Sequence, residues 1–403
     1  MSTVQPAASR GERLIVVTAL INQLGNWFTF LAIIVHVQAQ HGSASSAAVF
    51  LVQTVPALIA ARSLSDRVPR TMTKQVWIAL QTVLAAMTIS MSALNDHLII
   101  IYVYVAVSAL LRAVSNPLFY TVAINGTHPD RRKAVLTAVS GAGSLSLVIS
   151  PAIGGVLADV AGIGWLFVVD AATFVIASML IGLVRMPPQS AVGGSQLASR
   201  PELIRHLVWP QGAGSGLIQP LGTWFAFVLL GAALNSVELP TFDNWLMYDS
   251  TGFGIALSMY GLGGLVSFVF TLVKPAKLPP LGLSAGAYLL GLVLWVIPLS
   301  VLPAIGFLLA GAGSTFASGA IRHLIAARAE EDGVDVQGLW GWANQVTLFA
   351  NLAMYGLFTA LFGIGASVGA CLVILAIVAL GWVVSLGVAR RHKTVSTTWV
   401  KGE

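Results

Sequence analysis

The sequence predicts an all-α integral membrane protein of twelve transmembrane helices in two six-helix bundles. Three observations carry that prediction: an apolar composition, a series of apolar runs long enough to span a bilayer, and a one-sided distribution of basic residues. Of the 403 residues 57% are hydrophobic and only 9% are charged. An ordinary soluble domain carries about 25% charged residues, so this chain cannot build a water-facing surface of normal size. The solvent of this fold is lipid. Forty glycines suit close helix approach, and eleven tryptophans suit anchoring at the membrane interface. The single cysteine, Cys371, lies in an apolar run and excludes both an intrachain disulfide and a cysteine metal cluster.

Runs of about 20 apolar residues cover the ~30 Å hydrocarbon core at a rise of ~1.5 Å per residue. They fall at about 14–37, 47–61, 76–94, 98–124, 134–158, 163–184, 217–237, 253–273, 281–302, 303–325, 339–362 and 364–388. The second run is short, and a tight turn near Pro303 separates the ninth from the tenth. Residues 37–39 loosely fit a signal-cleavage site. The preceding run nevertheless contains Asn22, Gln23 and Asn26 and is longer than a signal-peptide core, so it is expected to be a retained first span.

Cytoplasmic loops hold the positive charge of membrane proteins. With the N-terminus inside, every lysine and arginine except Arg112 falls on the cytoplasmic side, Arg322 and Arg328 among them. The outer side holds Asp96, Asp159, Glu238, Asp243 and Asp249. The expected location is the cell's inner (plasma) membrane, with both termini cytoplasmic. The net charge of +6 is then topological, and nucleic acid is not an expected partner.

Residues 185–216 carry Pro187-Pro188 and Gly193-Gly194 and form a cytoplasmic linker between a bundle at 1–184 and one at 217–403. Two such parallel bundles place a substrate cavity at their interface near the midplane. No strong sequence repeat relates the halves, so the symmetry rests on span count and loop length.

After the second span the chain reads Arg62-Ser63-Leu64-Ser65-Asp66-Arg67-Val68-Pro69-Arg70. This resembles the G-x-L-x-D-R-x-G-R motif of the major facilitator superfamily, with Leu64, Asp66, Arg67 and Arg70 at matching positions and Arg62 and Pro69 in place of its glycines. The resemblance implies that Asp66, Arg67 and Arg70 act as a conformational gate on the cytoplasmic side. On the fifth span Ser146, Ser150, Pro151, Gly154 and Gly155 resemble the family's antiporter motif G-x-x-x-G-P-x-x-G-G, with serine at both leading glycines. Ordinary small-residue packing accounts for the same pattern. Arg112, followed by Asn116-Pro117, falls where the family's fourth helix carries an intramembrane arginine. The stretches Asn22–Phe28 and Val169–Phe174 are similar to the drug-proton antiporters that include macrolide and enterobactin exporters. The likeness covers most of the N-terminal half and thins beyond it to the Gly261–Gly264 region.

An ionisable group in mid-membrane costs at least ~2.5–3.5 kcal/mol and is a functional candidate by default. Arg112 lies ~21 Å from the outer side along its helix and Asp170 ~10 Å, so a direct ion pair is not implied. Arg112 either binds an anionic substrate group, tunes a nearby acid, or is held by backbone carbonyls. Asp170 is a proton carrier or a hydrogen-bond partner between helices. Glu238 is an outer-loop acid that a small boundary shift would bury. Together Asp170, Glu238 and Arg112 are the proton-coupling candidates. Arg112 also heads the substrate-binding set, with Asn22, Asn26, Trp27, Asn116, Trp224, Asn235 and Asn344. Asn22 and Asn26, four apart, share one helical face. His36 and His323 lie near helix ends and fit interfacial positions.

The expected function is secondary active export of an amphipathic organic compound, such as a drug, siderophore or other natural product. It is driven by proton antiport with alternating access, without cofactor or metal, in a chain working as a monomer. A lysophospholipid flippase or an uptake symporter is the alternative, since fold does not fix substrate or direction. A receptor gives no reason for Arg112. An enzyme lacks its motifs, because no H-E-x-x-H, G-x-S-x-G or P-loop pattern occurs.

Overall fold

In lipid a backbone N–H or C=O finds a partner only within its own helix or a closed barrel, so long apolar runs become helices. The computed structural model describes residues 9–60, 68–186, 215–273, 279–299, 301–334 and 336–399. Among these it forms eleven α-helices and no strand. They are α1 (Arg10–Ala60), α2 (Thr73–Leu94), α3 (Leu98–Asn125), α4 (Arg132–Ala161), α5 (Ile163–Leu183), α6 (Ser215–Asn244), α7 (Ser250–Val273), α8 (Leu281–Trp295), α9 (Leu302–Glu331), α10 (Val336–Gly363) and α11 (Val368–Trp399). Asp66 and Arg67 lie outside the described residues, as does nearly all of the linker. Arg70 is described by its backbone alone, opening the 3-10 turn Arg70–Met72.

The first two expected spans are one element. At 51 residues α1 would be about 75 Å long if straight, far beyond a bilayer. It is two helices meeting at Gly42, whose φ of 76° and ψ of −178° break the helical path, a conformation open to glycine. Counting both parts gives twelve helical segments. Ten elements are long and apolar enough to cross a membrane. The exception is α8, expected over 281–302, which stops after 15 residues at Trp295.

Helix ends also depart from expectation. Glu238 and Asp243, expected in an outer loop, lie inside α6, which continues through Pro240 to Asn244. A proline removes one backbone donor, and neighbouring helices in a membrane bundle tolerate that loss. Similarly α9 runs beyond 325 to Glu331. The start of α1 is a reciprocal cap: Glu12 N–H donates to Ser9 Oγ (3.2 Å) and Ser9 N–H to Glu12 Oε2 (2.9 Å). The same Glu12 oxygen pairs with Arg131 Nε at 2.8 Å. Lys74 Nζ donates to the carbonyls of Gly182 and Val184, placing a cation at the C-terminal end of α5.

The chain divides into two compact units. Unit 1 comprises Met1–His36, Val55–Pro201 and Ser250–Gly261, and unit 2 comprises Val37–Thr54, Glu202–Asp249 and Leu262–Glu403. The kinked middle of α1 thus belongs with the C-terminal helices, and the start of α7 with the N-terminal ones. Unit 1 is centred on an aliphatic core that includes Ile15, Trp77, Leu118, Val122, Val139 and Ile181. Within it α4 and α7 touch backbone to backbone: a methyl group at Gly254 would collide with the carbonyl of Pro151, and one at Gly155 with Ser250. Unit 2 has an aromatic core, in which Phe242 meets Trp295 and Phe307 while Phe227 meets Tyr288 and Trp382. There α8 and α9 interlock through Gly291, Gly306 and Gly313, none with room for a Cβ.

Candidate functional site

Apart from Glu12, which is held in the cap of α1 by Arg131, each unit buries one carboxylic acid among the described residues. In unit 1 it is Asp170 on α5, which is fully buried. Thr29 of α1 donates its hydroxyl to Asp170 Oδ2. Thr173, one turn along α5, has its hydroxyl 3.1 Å from Oδ1 and 2.7 Å from the Asp170 carbonyl. Gly25 sits directly against this pair, and a Cβ there would overlap the Asp170 and Thr173 oxygens. Asn22, Gly25, Asn26 and Thr29 follow the 3–4 spacing of a helical face, which is why one stripe of α1 reaches the acid.

Arg112 on α3 forms no ion pair with Asp170 among the described residues. Its charge nevertheless acts on the acid and on Tyr104, a buried phenol bonded to Thr88 at 2.8 Å. The Arg112 Cζ lies 5.9 Å from the centre of the Phe174 ring, one helical turn beyond Asp170. Its Nε and Nη2 are buried without a hydrogen-bond partner, and so are the amide oxygens of Asn22 and Asn26. The backbone-carbonyl explanation of Arg112 is therefore not what these two nitrogens show. Buried polar groups without partners cost free energy, and such a set marks a place for water or ligand.

In unit 2 the acid is Glu238 on α6, 5% exposed. Among the described residues it has no ion pair or hydrogen bond, and Tyr355 of α10 lies within its electrostatic range. Asn235, three residues earlier, donates its side-chain N–H to the Tyr355 hydroxyl at 3.3 Å, and the Tyr355 ring stacks on Phe50 at 5.3 Å. Trp224, Asn235 and Glu238 are 11 and 14 residues apart, close to whole turns, and share one face of α6.

At the other end of that face Trp224 holds a cation that the sequence left among the loop charges. Arg322 on α9 lies 4.8 Å from the Trp224 ring centre and 5.6 Å from that of Trp340 on α10. The Trp224 indole N–H donates to Thr347 Oγ1 at 3.3 Å. Trp224 and Thr347 also line a cavity of about 310 Å³ between α6 and α10.

The remaining candidates stand apart from these groups. Trp27 packs edge-on against Phe30 of its own helix at 5.3 Å. Asn116 is exposed, beside the buried Ser115. Asn344 lies on α10, its side chain outside the described residues. Ser146 and Ser150 are fully buried in α4. Ser146 bonds to its own helix at 2.8 Å and to the Leu20 carbonyl at 3.4 Å, whereas Ser150 Oγ has no partner. With Pro151 and Gly155 against α7, and Gly154 against Leu31 and Phe28 of α1, this stretch is a packing seam.

A multi-pass, all-helical membrane protein with a buried carboxylic acid in a span of each unit has the make-up of a helical transporter. The Major Facilitator Superfamily matches residues 15–351, most of the chain, and the chain belongs to that superfamily. No curated protein matches it. Its fold is similar to that of the POT family transporter PepTSo, with a TM-score of 0.68 and 10% identity over 96% of this chain and 99% of that one. It is also similar to a bacterial homologue of the iron transporter ferroportin in the inward-facing state (TM-score 0.63, 16% identity, 94% and 98% covered). A third likeness is to a bacterial homologue of the human lysosomal transporter Spinster in its inward-facing, unoccupied conformation (0.60, 17%, 94% and 98%). At these identities the likeness concerns the fold.

Proposed function

We propose that this superfamily member is a secondary exporter of an amphipathic organic compound, driven by proton antiport and related to the drug-proton antiporter branch. The observation that carries the reading is the Asp170 site. A fully buried acid with two hydroxyl partners, close to an arginine that has two buried N–H nitrogens without partners among the described residues, is suited to exchanging a proton against a ligand. Glu238 is the second proton-coupling acid. Arg112 links proton to substrate, with Asn22 and Asn26 as the ligand-facing amides of unit 1, and Trp224 and Asn235 as the ligand-facing groups of unit 2. In this reading the basic helix ends face the cytoplasm, both termini lie there in the plasma membrane, six helices stand on either side of the 185–216 linker, and the chain acts as a monomer. Asp66, Arg67 and Arg70 bias the conformational equilibrium from the cytoplasmic surface.

The test is transport in proteoliposomes under an imposed pH gradient, screened across drug and siderophore classes. The Asp170→Asn, Glu238→Gln double variant should lose gradient-driven accumulation. Wild-type accumulation by that variant would overturn the assignment of both acids.

A further inference from the structure

We propose that the Arg322–Trp224–Trp340 stack and the adjoining apolar cavity form a binding site for an anionic amphiphile, a carboxylate, phosphate or sulfonate carried on an apolar body. The proposal rests on the reading of the protein as a carrier of amphipathic compounds and adds the sign of the ligand's charge.

The guanidinium carbon of Arg322 lies 4.8 and 5.6 Å from the centres of two indoles whose rings are 6.1 Å apart and nearly perpendicular. Such cation–π contacts use no N–H donor as a hydrogen bond and leave those donors available. Arg322 is exposed, and among the described residues no carboxylate or carbonyl accepts from it. Glu331 on the same helix is already paired with Arg328 at 2.6 Å. The fork of donors is therefore open, and bidentate recognition of a carboxylate or phosphate is what such a fork does best.

The second half of the site is apolar. The cavity of about 310 Å³ is lined by Leu221, Phe225, Trp342 and Val346 together with Trp224 and Thr347. That volume is at the lower end of small-molecule sites, about 300–1,000 Å³. Trp224 belongs to both halves, and its bond to Thr347 fixes the indole so that it both lines the cavity and carries Arg322. One ligand can thus place an anionic head on Arg322 and its apolar body beside the same indole. A cationic amphiphile of equal size would meet a like charge at the head position.

The full-length protein in phosphatidylcholine nanodiscs can be titrated with 11-(dansylamino)undecanoate, its methyl ester and the matching trimethylammonium compound. Energy transfer from tryptophan is read against empty nanodiscs. The carboxylate should bind about tenfold or more tighter than the ester, as one charge-assisted contact allows, and the cation weakest. Arg322→Gln should bring the carboxylate to the ester's affinity while leaving the ester unchanged, which also reports that the cavity is intact. Arg322→Lys should keep part of the preference. Equal affinity for the three compounds, or an undiminished preference in folded Arg322→Gln, would overturn the proposal. So would inorganic phosphate competing as well as the amphiphile, since that would leave the apolar half without a role. Phosphatidylglycerol added to the nanodisc distinguishes the sources: competition identifies a membrane lipid as the anion's carrier, and its absence a soluble compound. Binding is read without a gradient, so loss of proton-driven transport and loss of anion preference are separate results.

Discussion

The acids of the two units are surrounded in opposite ways. Asp170 accepts from Thr29 and Thr173 and has Arg112 within electrostatic range. Glu238 is buried without an ion pair among the described residues, and one exposed cation of its unit, Arg322, lies against Trp224, which is 14 residues from Glu238 along α6. That separation is about 21 Å along the helix axis. Unit 1 therefore compensates its buried charge locally, whereas unit 2 keeps acid and cation at opposite ends of one helical face. Under the proposed roles, the local arrangement ties the proton state of Asp170 to whatever Arg112 binds, whereas the divided one lets Glu238 and Arg322 respond separately, and the difference can be broken experimentally at either end.

The largest expected effect is at Arg112. Arg112→Gln leaves Asp170 without its neighbouring cation and removes the unpartnered donors, and transport per folded molecule should fall about 100-fold, equivalent to about 2.7 kcal/mol. Arg112→Lys should retain a fraction, because it keeps the charge without the planar fork. Normal specific transport by folded Arg112→Gln would show that the arginine is structural. Next comes a contrast in stability. Asp170→Asn disturbs two hydroxyl bonds at a fully buried site, so it should cost about 2–3 kcal/mol in a detergent melt. Glu238→Gln, with no cation or donor to lose, should cost less than about 1 kcal/mol. Equal losses would remove the contrast between the units.

A glycine pair sharpens the same comparison at smaller scale. Gly25→Ala forces a methyl group into the Asp170–Thr173 pair and should destabilise by about 1–3 kcal/mol. Gly231→Ala, with open space around it on α6, should be neutral or stabilise by up to about 1 kcal/mol. A melting temperature for each variant decides it, and a harmless Gly25→Ala would mean that α1 is free to move away from the acid.

Composition, span length and basic-residue placement made the helical membrane fold legible, because lipid imposes those patterns directly on sequence. Asp170, Arg112 and the Asn22–Asn26 stripe were legible for the same reason, since polar groups within apolar runs stand out. Thr29 and Thr173 were not, as threonine is common in membrane helices, though Thr29 continues the Asn22–Asn26 face one turn further. Glu238 was expected in an outer loop because it directly follows the apolar run 217–237, and nothing local reveals that α6 continues through Pro240 to Asn244. Arg322 was counted with the topological charges because its partners, Trp224 and Trp340, are 98 residues before and 18 residues after it. Only tertiary packing brings them together. The break at Gly42 falls in the gap that the sequence left between the first and second spans, although helix continues close up to it on both sides.

The smallest expected effect concerns Tyr355, and it separates packing from proton transfer in unit 2. Its ring stacks on Phe50, and its hydroxyl accepts from Asn235 close to the otherwise unpartnered Glu238. Tyr355→Phe keeps the ring and deletes the oxygen, so the stack survives while the Asn235 amide loses its acceptor. The stability cost should be about 1 kcal/mol, that of one neutral hydrogen bond. If the hydroxyl also supports proton exchange at Glu238, accumulation under a pH gradient should slow a few-fold, while counterflow of labelled substrate without net proton movement stays at the wild-type rate. A phenol that only packs would leave both rates unchanged once corrected for folded protein. Equal slowing of both would place Tyr355 on the substrate path, and unit 2 would then join ligand and proton chemistry as closely as unit 1.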